Sequence, residues 1–500
     1  MALKKSKRFV KNKDEFPIRK YCFLRAINLK MKIIDARSYV DLCYIYEKGE
    51  NIRILNIIQT WLSILNIDLD RIISDYYQYP KFLTDVKIRM ISDEIDKSIQ
   101  KFDFIIYNLK FLPILPTSPI LDMVTSEIIP KIPSDELKIK EIYFKNITEF
   151  NFEGTKMKEP PLVDEQKNKI RQKFGEVPKV LSMSVVYNNN PLLWPLIIHE
   201  YGHVIYKIIK KKDEMKDIIK ELTLKFPNKS ANIDDNISEI FSDLFAINYY
   251  GSSYLFAFYF HEILMNNKQK LLDLDDNNTI KENLSHPPSA IRFEYMKTEL
   301  KKRKQMPHDD ALEKLMEYHQ PFSERITKKR NVHYKHEDNQ FFEKTYENIS
   351  EHFKVLKILP DRKDGIISSS IEDLSKNLIE RLPISATYKP EKDLREALKM
   401  KGELFDNDDS NEIFDIEEYN EILKIIYVGW RHLILDIIDD FYEKSADDYL
   451  TNVDLKFKEE DSDILKKIKK FSNQYEFLMK DLIYSIETAI VISNYSGDTE

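Results

Sequence analysis

Apolar residues recur along most of this chain at three- and four-residue spacing, the period of an amphipathic helix rather than a strand. From Ala26 to about Asp122 they alternate with charged residues, as in Ile54, Leu55, Ile57, Ile58, Trp61, Leu62 and Leu65. Pro80, Pro113, Pro116 and Pro119 punctuate this stretch, and Pro130 and Pro133 close it. The pattern predicts an N-terminal helical domain over 1–135. Two stretches depart from it. Residues 137–144 alternate partly with period two, and 180–187 are short and rich in β-branched residues, so both read as strands. Between them, Leu162 to Phe174 reads as a helix ended near Gly175. After Lys301 the helical period returns over 372–382, 419–445 and 461–492, which predicts a C-terminal helical region over 301–500. The expected class is therefore mainly α with a small β-sheet, that is α+β, with the departures confined to a central domain over 136–300.

The longest uncharged run, Leu244 to Phe260, is interrupted by Asn248, Gly251, Ser252 and Ser253. A spanning helix needs about 20 predominantly apolar residues. The run therefore predicts a buried helix, a turn and a second helix. No transmembrane segment is expected, and peripheral membrane contact stays open.

Composition narrows the function classes. Five hundred residues exceed one compact core and suggest about two to four domains. Nine glycines are few. Hairpins and phosphate loops depend on glycine, so the shortage agrees with a helical chain. No GxGxxG or GxxxxGK[ST] string occurs, which removes the nucleotide-binding motifs. A net charge of −7 gives no reason to expect nucleic acid as a partner. Cys22 and Cys43 cannot build a disulfide framework, and the basic N-terminus lacks an apolar signal core. The expected compartment is therefore the cytoplasm. Residues 1–20 hold eight Lys/Arg against Asp14 and Glu15, a solvated basic segment. The acidic run 403–418 misses the spacing of a calcium loop and reads as an exposed loop.

One helix carries chemistry. His199-Glu200-Tyr201-Gly202-His203 places two imidazoles four residues apart on one face, where they can hold one Zn²⁺, with Glu200 beside them to move protons. Asn188 to Asn190 offer an N-cap and Pro191 suits the first helical position. The flanking Leu196, Ile197, Ile198, Val204, Ile205 and Ile208 predict burial, and buried polar groups need compensation that a metal supplies. Gly202 costs about 1 kcal/mol against Ala in mid-helix, which is best explained by close approach of another element. A catalytic zinc takes three protein ligands and leaves one position open. On the next apolar helix, Glu239 and Asp243 share a face. Glu239 is the expected third ligand, and Asp243 is expected to accept the free ring N–H of a ligand histidine. Further on, the Pro287-Pro288 pair predicts a helix start, with His286 just ahead of it and Arg292 inside.

HExxH, then Glu-x-x-x-Asp, then His-Pro-Pro with a following Arg, resembles the gluzincin peptidases, most nearly the soluble relatives of CAAX-processing and heat-shock membrane proteases. The resemblance covers about residues 180–300. It implies a zincin-like metallopeptidase domain between the helical flanks, with His199, His203 and Glu239 as zinc ligands and Glu200 as general base. It also implies that Asp243 lies behind the ligands and that His286 and Arg292 border the cleft. His286 is the first candidate to stabilise the oxyanion, ahead of Tyr201, Tyr254 and Tyr295. Strand 180–187, read as an edge, could hold an extended peptide by strand addition. The expected activity is zinc-dependent hydrolysis of a protein or peptide. The alternatives are a non-catalytic zinc-fold interaction or regulatory protein and, last, a nucleic-acid or membrane-surface binder using the basic N-terminus.

Overall fold

The computed structural model describes residues 16–46, 50–78, 85–109, 142–147, 152–156, 179–184, 187, 189–266, 286–302, 310–319, 336–356, 421–439, 441–442 and 460–496. Three long N-terminal helices, α1 (Phe16–Tyr46), α2 (Glu50–Gln78) and α3 (Asp85–Asn108), pack on one another. After the strand segments come α4 (Pro195–Ile209), α5 (Asp213–Lys225), α6 (Ile233–Tyr250) and α7 (Ser252–Phe258). A π-helical turn (Tyr259–Ile263) ends α7, and α8 (Ser289–Lys302) follows. The last helices are α9 (310–319), α10 (His336–Leu356), α11 (Glu421–His432) with a π-helical extension (Leu433–Ile438), and α12 (Glu460–Ser496).

The α+β expectation is corrected: the described part of the chain is 93% helical, and the fold is all-α. A sheet defines a fold class only where it forms a layer that buries a face against the core. Among the residues whose burial is described, the apolar core is carried by the helices and the turns that launch or join them. Short backbone pairings do occur at Ile142–Ile147 (β1), Phe152–Lys156 (β2) and Lys179–Ser184 (β3). Their order is β1-β3-β2, with β1 parallel and β2 antiparallel to β3. β3 is thus paired on both sides, so the stretch expected to offer a free edge to a peptide has none. The period-two pattern corresponds to local pairing of three short strands. The helix expected over 162–174, the helical stretch 372–382, the acidic run 403–418 and the basic residues 1–15 lie outside the described residues.

The uncharged run behaves as its interruptions predict. α6 ends at Gly251, whose φ of 53° needs glycine, and α7 starts beyond it. Among the described residues no helix is long and apolar enough to cross a membrane. The π turn shifts the ladder, with Leu264 N–H bonding the Tyr259 carbonyl at 3.0 Å. Polar side chains of α1, spaced at helical period, satisfy the carbonyls of that turn. Tyr21 donates to Ile263 at 3.1 Å, Arg25 to Leu264 at 2.9 Å and Asn28 to Phe260 at 2.7 Å.

The entry to the motif helix is built differently from the expected cap. Pro191–Leu193 form a 3-10 turn, and α4 starts at Pro195 behind Trp194, with no side-chain cap. Asn190 instead donates to Asp35 of α1 at 2.7 Å and to Tyr475 of α12 at 3.0 Å. Trp430 of α11 donates to the Leu192 carbonyl at 2.9 Å. N- and C-terminal helices therefore converge on the turn that launches α4. Burial raises the Asp35 pKa to about 7, against hydrogen bonds from Asn190 and Tyr475 and the charge of Lys32. Burial lowers Lys32 to about 7, against the charges of Asp35, Asp103 and Glu262. Lys32 also donates to Tyr187 at 2.9 Å, whose hydroxyl meets His261 Nδ1 at 3.2 Å.

α4 and α6 meet at Gly202. A Cβ there would stand 2.8 Å from Ser242 Cα, a backbone atom that no rotamer change can move. Gly202→Ala should therefore destabilise by about 1–3 kcal/mol through overpacking, although helix propensity alone favours alanine by about 1 kcal/mol. A urea titration of the variant checks this, and a higher midpoint would refute the close contact.

Lys32 and Asp35 make a second prediction. Asp35 keeps a proton in the fold that the unfolded chain releases between 3.8 and about 7, so this term loses stability as pH rises through that window. Lys32 gives up in the fold a proton that the unfolded chain keeps to 10.5, so stability returns as pH rises from about 7. Lys32→Met alone should cost about 3–5 kcal/mol, and the Lys32→Met/Asp35→Leu double variant far less. The double variant should gain on wild type most near neutrality, measured by urea midpoints below, at and above pH 7. A wild-type advantage that peaks at neutrality contradicts the pair's assignment.

Candidate metal centre

His199 and His203 stand one turn apart on α4. Their Nε2 atoms point at the same spot, 3.1 Å from each other. Glu239 of α6 faces both, with Oε2 at 3.3 Å from His199 Nε2 and Oε1 at 3.3 Å from His203 Nε2. Two donors about 2.0–2.1 Å from a tetrahedral metal lie about 3.3 Å apart, the spacing seen for these three side chains. Glu200 adjoins them. His199, Glu200 and His203 each present an atom within 4.8 Å of the others, a group that could hold a metal ion.

The far sides of both imidazoles are held. His199 Nδ1 meets Asp243 Oδ1 at 3.1 Å and the Tyr254 hydroxyl at 3.1 Å, and Tyr254 donates to Asp243 at 2.7 Å. His203 Nδ1 lies 2.8 Å from Ser238 Oγ. With Asp243 accepting the Nδ1 proton, the His199 Nε2 lone pair faces the common spot, as a metal ligand requires.

Arg292 of α8 completes the frame. Its Nε and Nη2 each bond Asp243 at 2.7 Å, its Nη1 lies 3.0 Å from Glu239 Oε2, and Phe258 stacks on its guanidinium at 5.0 Å. The Pro287-Pro288 pair does start the helix, since the Pro288 carbonyl accepts from Ile291 and Arg292. His286 stands just ahead. Its side chain is 60% exposed, yet Nε2 reaches Glu239 Oε1 at 3.2 Å, so it borders the group from the solvent side.

The charges do not balance within the group. Burial opposes ionisation of Glu239 and Asp243. The Arg292 charge overrides it, with help from bonds to His199, and holds Glu239 well below the carboxylate range and Asp243 down to about 2. Two buried carboxylates thus share one guanidinium. Burial also opposes a charge on His199, but the Asp243 and Glu239 carboxylates push its pKa up to about 10. The pocket accommodates one further positive charge, either a proton on His199 or a cation. A bound cation provides it while leaving the imidazoles neutral.

All seven residues singled out from sequence, His199, Glu200, His203, Glu239, Asp243, His286 and Arg292, come together here. Tyr254 and Ser238 were not seen in these roles. Tyr254 was one of many tyrosines, and nothing in the sequence ties Ser238 to His203, 35 residues earlier. No protein-family pattern matches the chain, and neither curated proteins nor solved structures give a match.

The purified protein should carry about one divalent metal per chain, and His203→Ala or Glu239→Ala should lose it. Tyr254→Phe, which removes one of the two partners of His199 Nδ1 and a hydrogen bond to Asp243, should weaken metal affinity about 10-fold or more. Elemental analysis and chelator competition read both, and metal-free wild type or full occupancy in Glu239→Ala would sink the centre.

Proposed function

We propose that this chain is a zinc-dependent peptidase. The observation that carries the reading is the convergence of two imidazoles and the Glu239 carboxylate, at tetrahedral spacing, with the Glu200 carboxylate beside the two histidines. Two nitrogens and one oxygen suit zinc and leave a position for reaction, as in hydrolytic rather than structural sites. The order HExxH, Glu-x-x-x-Asp and His-Pro-Pro, similar to that of gluzincins, supports the same assignment.

His199, His203 and Glu239 would hold the ion, which supplies Lewis acidity and lowers the pKa of a bound water toward about 7. Glu200 accepts the proton of the attacking water and delivers it to the leaving amine nitrogen. Asp243 and Tyr254 keep His199 in the tautomer and orientation that ligation needs. Arg292, engaged by both Asp243 and Glu239, positions these carboxylates. His286, on the exposed side, donates to the oxyanion that develops on the scissile carbonyl. A peptide is the substrate class to which the gluzincin-like order of motifs points.

Glu200→Gln should keep full metal content and lose about 10²–10⁴-fold or more in peptide hydrolysis. His286→Ala should lower kcat with smaller effect on KM. A quenched peptide library read alongside metal analysis checks both. Equal cleavage by wild type and Glu200→Gln would refute the mechanism, and metal binding without any cleavage would favour a non-catalytic zinc-fold protein.

A further inference from the structure

Glu262 lies in the π-helical turn that follows α7 and takes no part in the metal group. Such turns recur where a chain must aim a side chain for function, and this one is kept in place by Tyr21, Arg25 and Asn28 of α1. The Glu262 side chain is 32% exposed. Its carboxylate is held loosely. Ser289 Oγ and Asn266 Nδ2 donate to Oε2 at 3.3 and 3.4 Å, and His261 Nε2 lies 3.4 Å from Oε1. A carboxylate well served by cationic donors holds them at about 2.7–2.9 Å. Burial drives the His261 pKa well below the imidazole range, so that ring brings no charge. Among the described residues no Lys or Arg forms an ion pair with Glu262. Burial raises its pKa, and neither the Arg292 charge nor the bond from Ser289 offsets the rise.

The start of α8 joins this carboxylate to the metal group. His286 and Ser289 flank the Pro287-Pro288 pair, and His286 reaches Glu239 at 3.2 Å while Ser289 reaches Glu262 at 3.3 Å. Arg292, Glu239 and His199 are close enough for their charges to act on Glu262. Arg292 does not pair with it, because Asp243 and Glu239 engage its guanidinium. A second metal ion is a poor occupant. Ser289 and Asn266 turn donors toward the carboxylate, and a single carboxylate does not make a metal site. A partly exposed carboxylate without a cation of its own is instead complementary to an ammonium that arrives with a ligand. We propose, on the peptidase reading above, that Glu262 is a specificity residue that binds an ammonium group of the peptide substrate next to the metal centre. That ammonium is the free α-amine of the peptide or the side chain of a lysine, which present the same chemistry.

The test reads binding as well as cleavage. Short randomised peptides with a fluorophore at the C-terminus are titrated with the full-length Glu200→Gln chain, and anisotropy reports the affinity. The peptide pools differ in one feature: a free N-terminus, an acetylated N-terminus, or an acetylated N-terminus with a single Lys or a single Glu. An ammonium-bearing pool should bind about 10-fold more tightly than the neutral acetylated pool. Preference for the free N-terminus assigns the α-amine, and preference for the Lys pool assigns the side chain. Glu262→Gln in the same background should erase the difference, and Glu262→Lys should turn it toward the Glu pool, both with an unchanged thermal melt. In wild-type cleavage the same preference should appear in KM more than in kcat. Equal binding of charged and neutral pools overturns the proposal, as does a preference that survives Glu262→Gln or the absence of binding to every pool. Cleavage by wild type without a charge preference leaves the peptidase reading standing and overturns the subsite. A Glu262-dependent preference in binding, with no cleavage by wild type, upholds the subsite and refutes the peptidase reading.

Discussion

The contact between Gly202 and Ser242 sets the distance on which the rest of the centre depends. α4 brings two imidazoles and α6 two carboxylates, and each helix places its pair one turn apart. The two imidazoles and Glu239 can share one ion, with Asp243 behind His199, only if the helix backbones approach closely. A side chain at 202 would meet the Ser242 backbone at 2.8 Å and force the helices apart. Shifts of that size exceed what metal–ligand bonds tolerate, since useful bond lengths lie within about 0.2 Å of their ideal values. A residue with no functional group is therefore as necessary to the centre as the ligands.

Close packing creates the electrostatic problem that the centre then uses. Carboxylates taken out of water need compensation, and Arg292 meets only part of it. Arg292 holds Glu239 and Asp243 ionised, and the remaining negative charge is directed at His199. A proton on His199 would satisfy the field and remove a ligand lone pair. A metal satisfies the field and keeps the lone pair. Protons and a metal would thus compete for one site, where two Nε2 atoms face each other at 3.1 Å.

The metal-centre residues were legible because they broke a local rule: two His on one apolar helix and two acids on the next need partners. The Leu244–Phe260 interruption at Gly251 was legible for the same reason, since a glycine and two serines do not continue a buried helix. What escaped depends on distant chain segments. Tyr254 reaches Asp243 and His199 only because α7 turns back after Gly251. Asn190 looked like a helix cap and instead bonds Asp35 and Tyr475, 155 and 285 residues away. The fold class failed for another reason. Alternating residues near 140 and 180 report pairing between neighbouring strands, and no local pattern says whether a sheet becomes a layer or stays an appendage to packed helices.

The flanking helices, silent in chemistry, account for the stiffness that such a centre needs. Three side chains of α1 satisfy the carbonyls of the π turn that follows α7, while Asp35 and Tyr475 hold the turn that launches α4. The two elements that carry His199 and Tyr254 are thereby anchored from behind by side chains as far apart in sequence as Tyr21 and Tyr475. Ligands on a four-residue spacing keep their rotamers only if the helix that bears them cannot roll. A polar network at its start resists rolling better than apolar contact, because hydrogen bonds are directional and apolar packing admits sliding. Burying Lys32 and Asp35 costs stability on this account, and what it supplies is a fixed origin for the helix that carries His199 and His203.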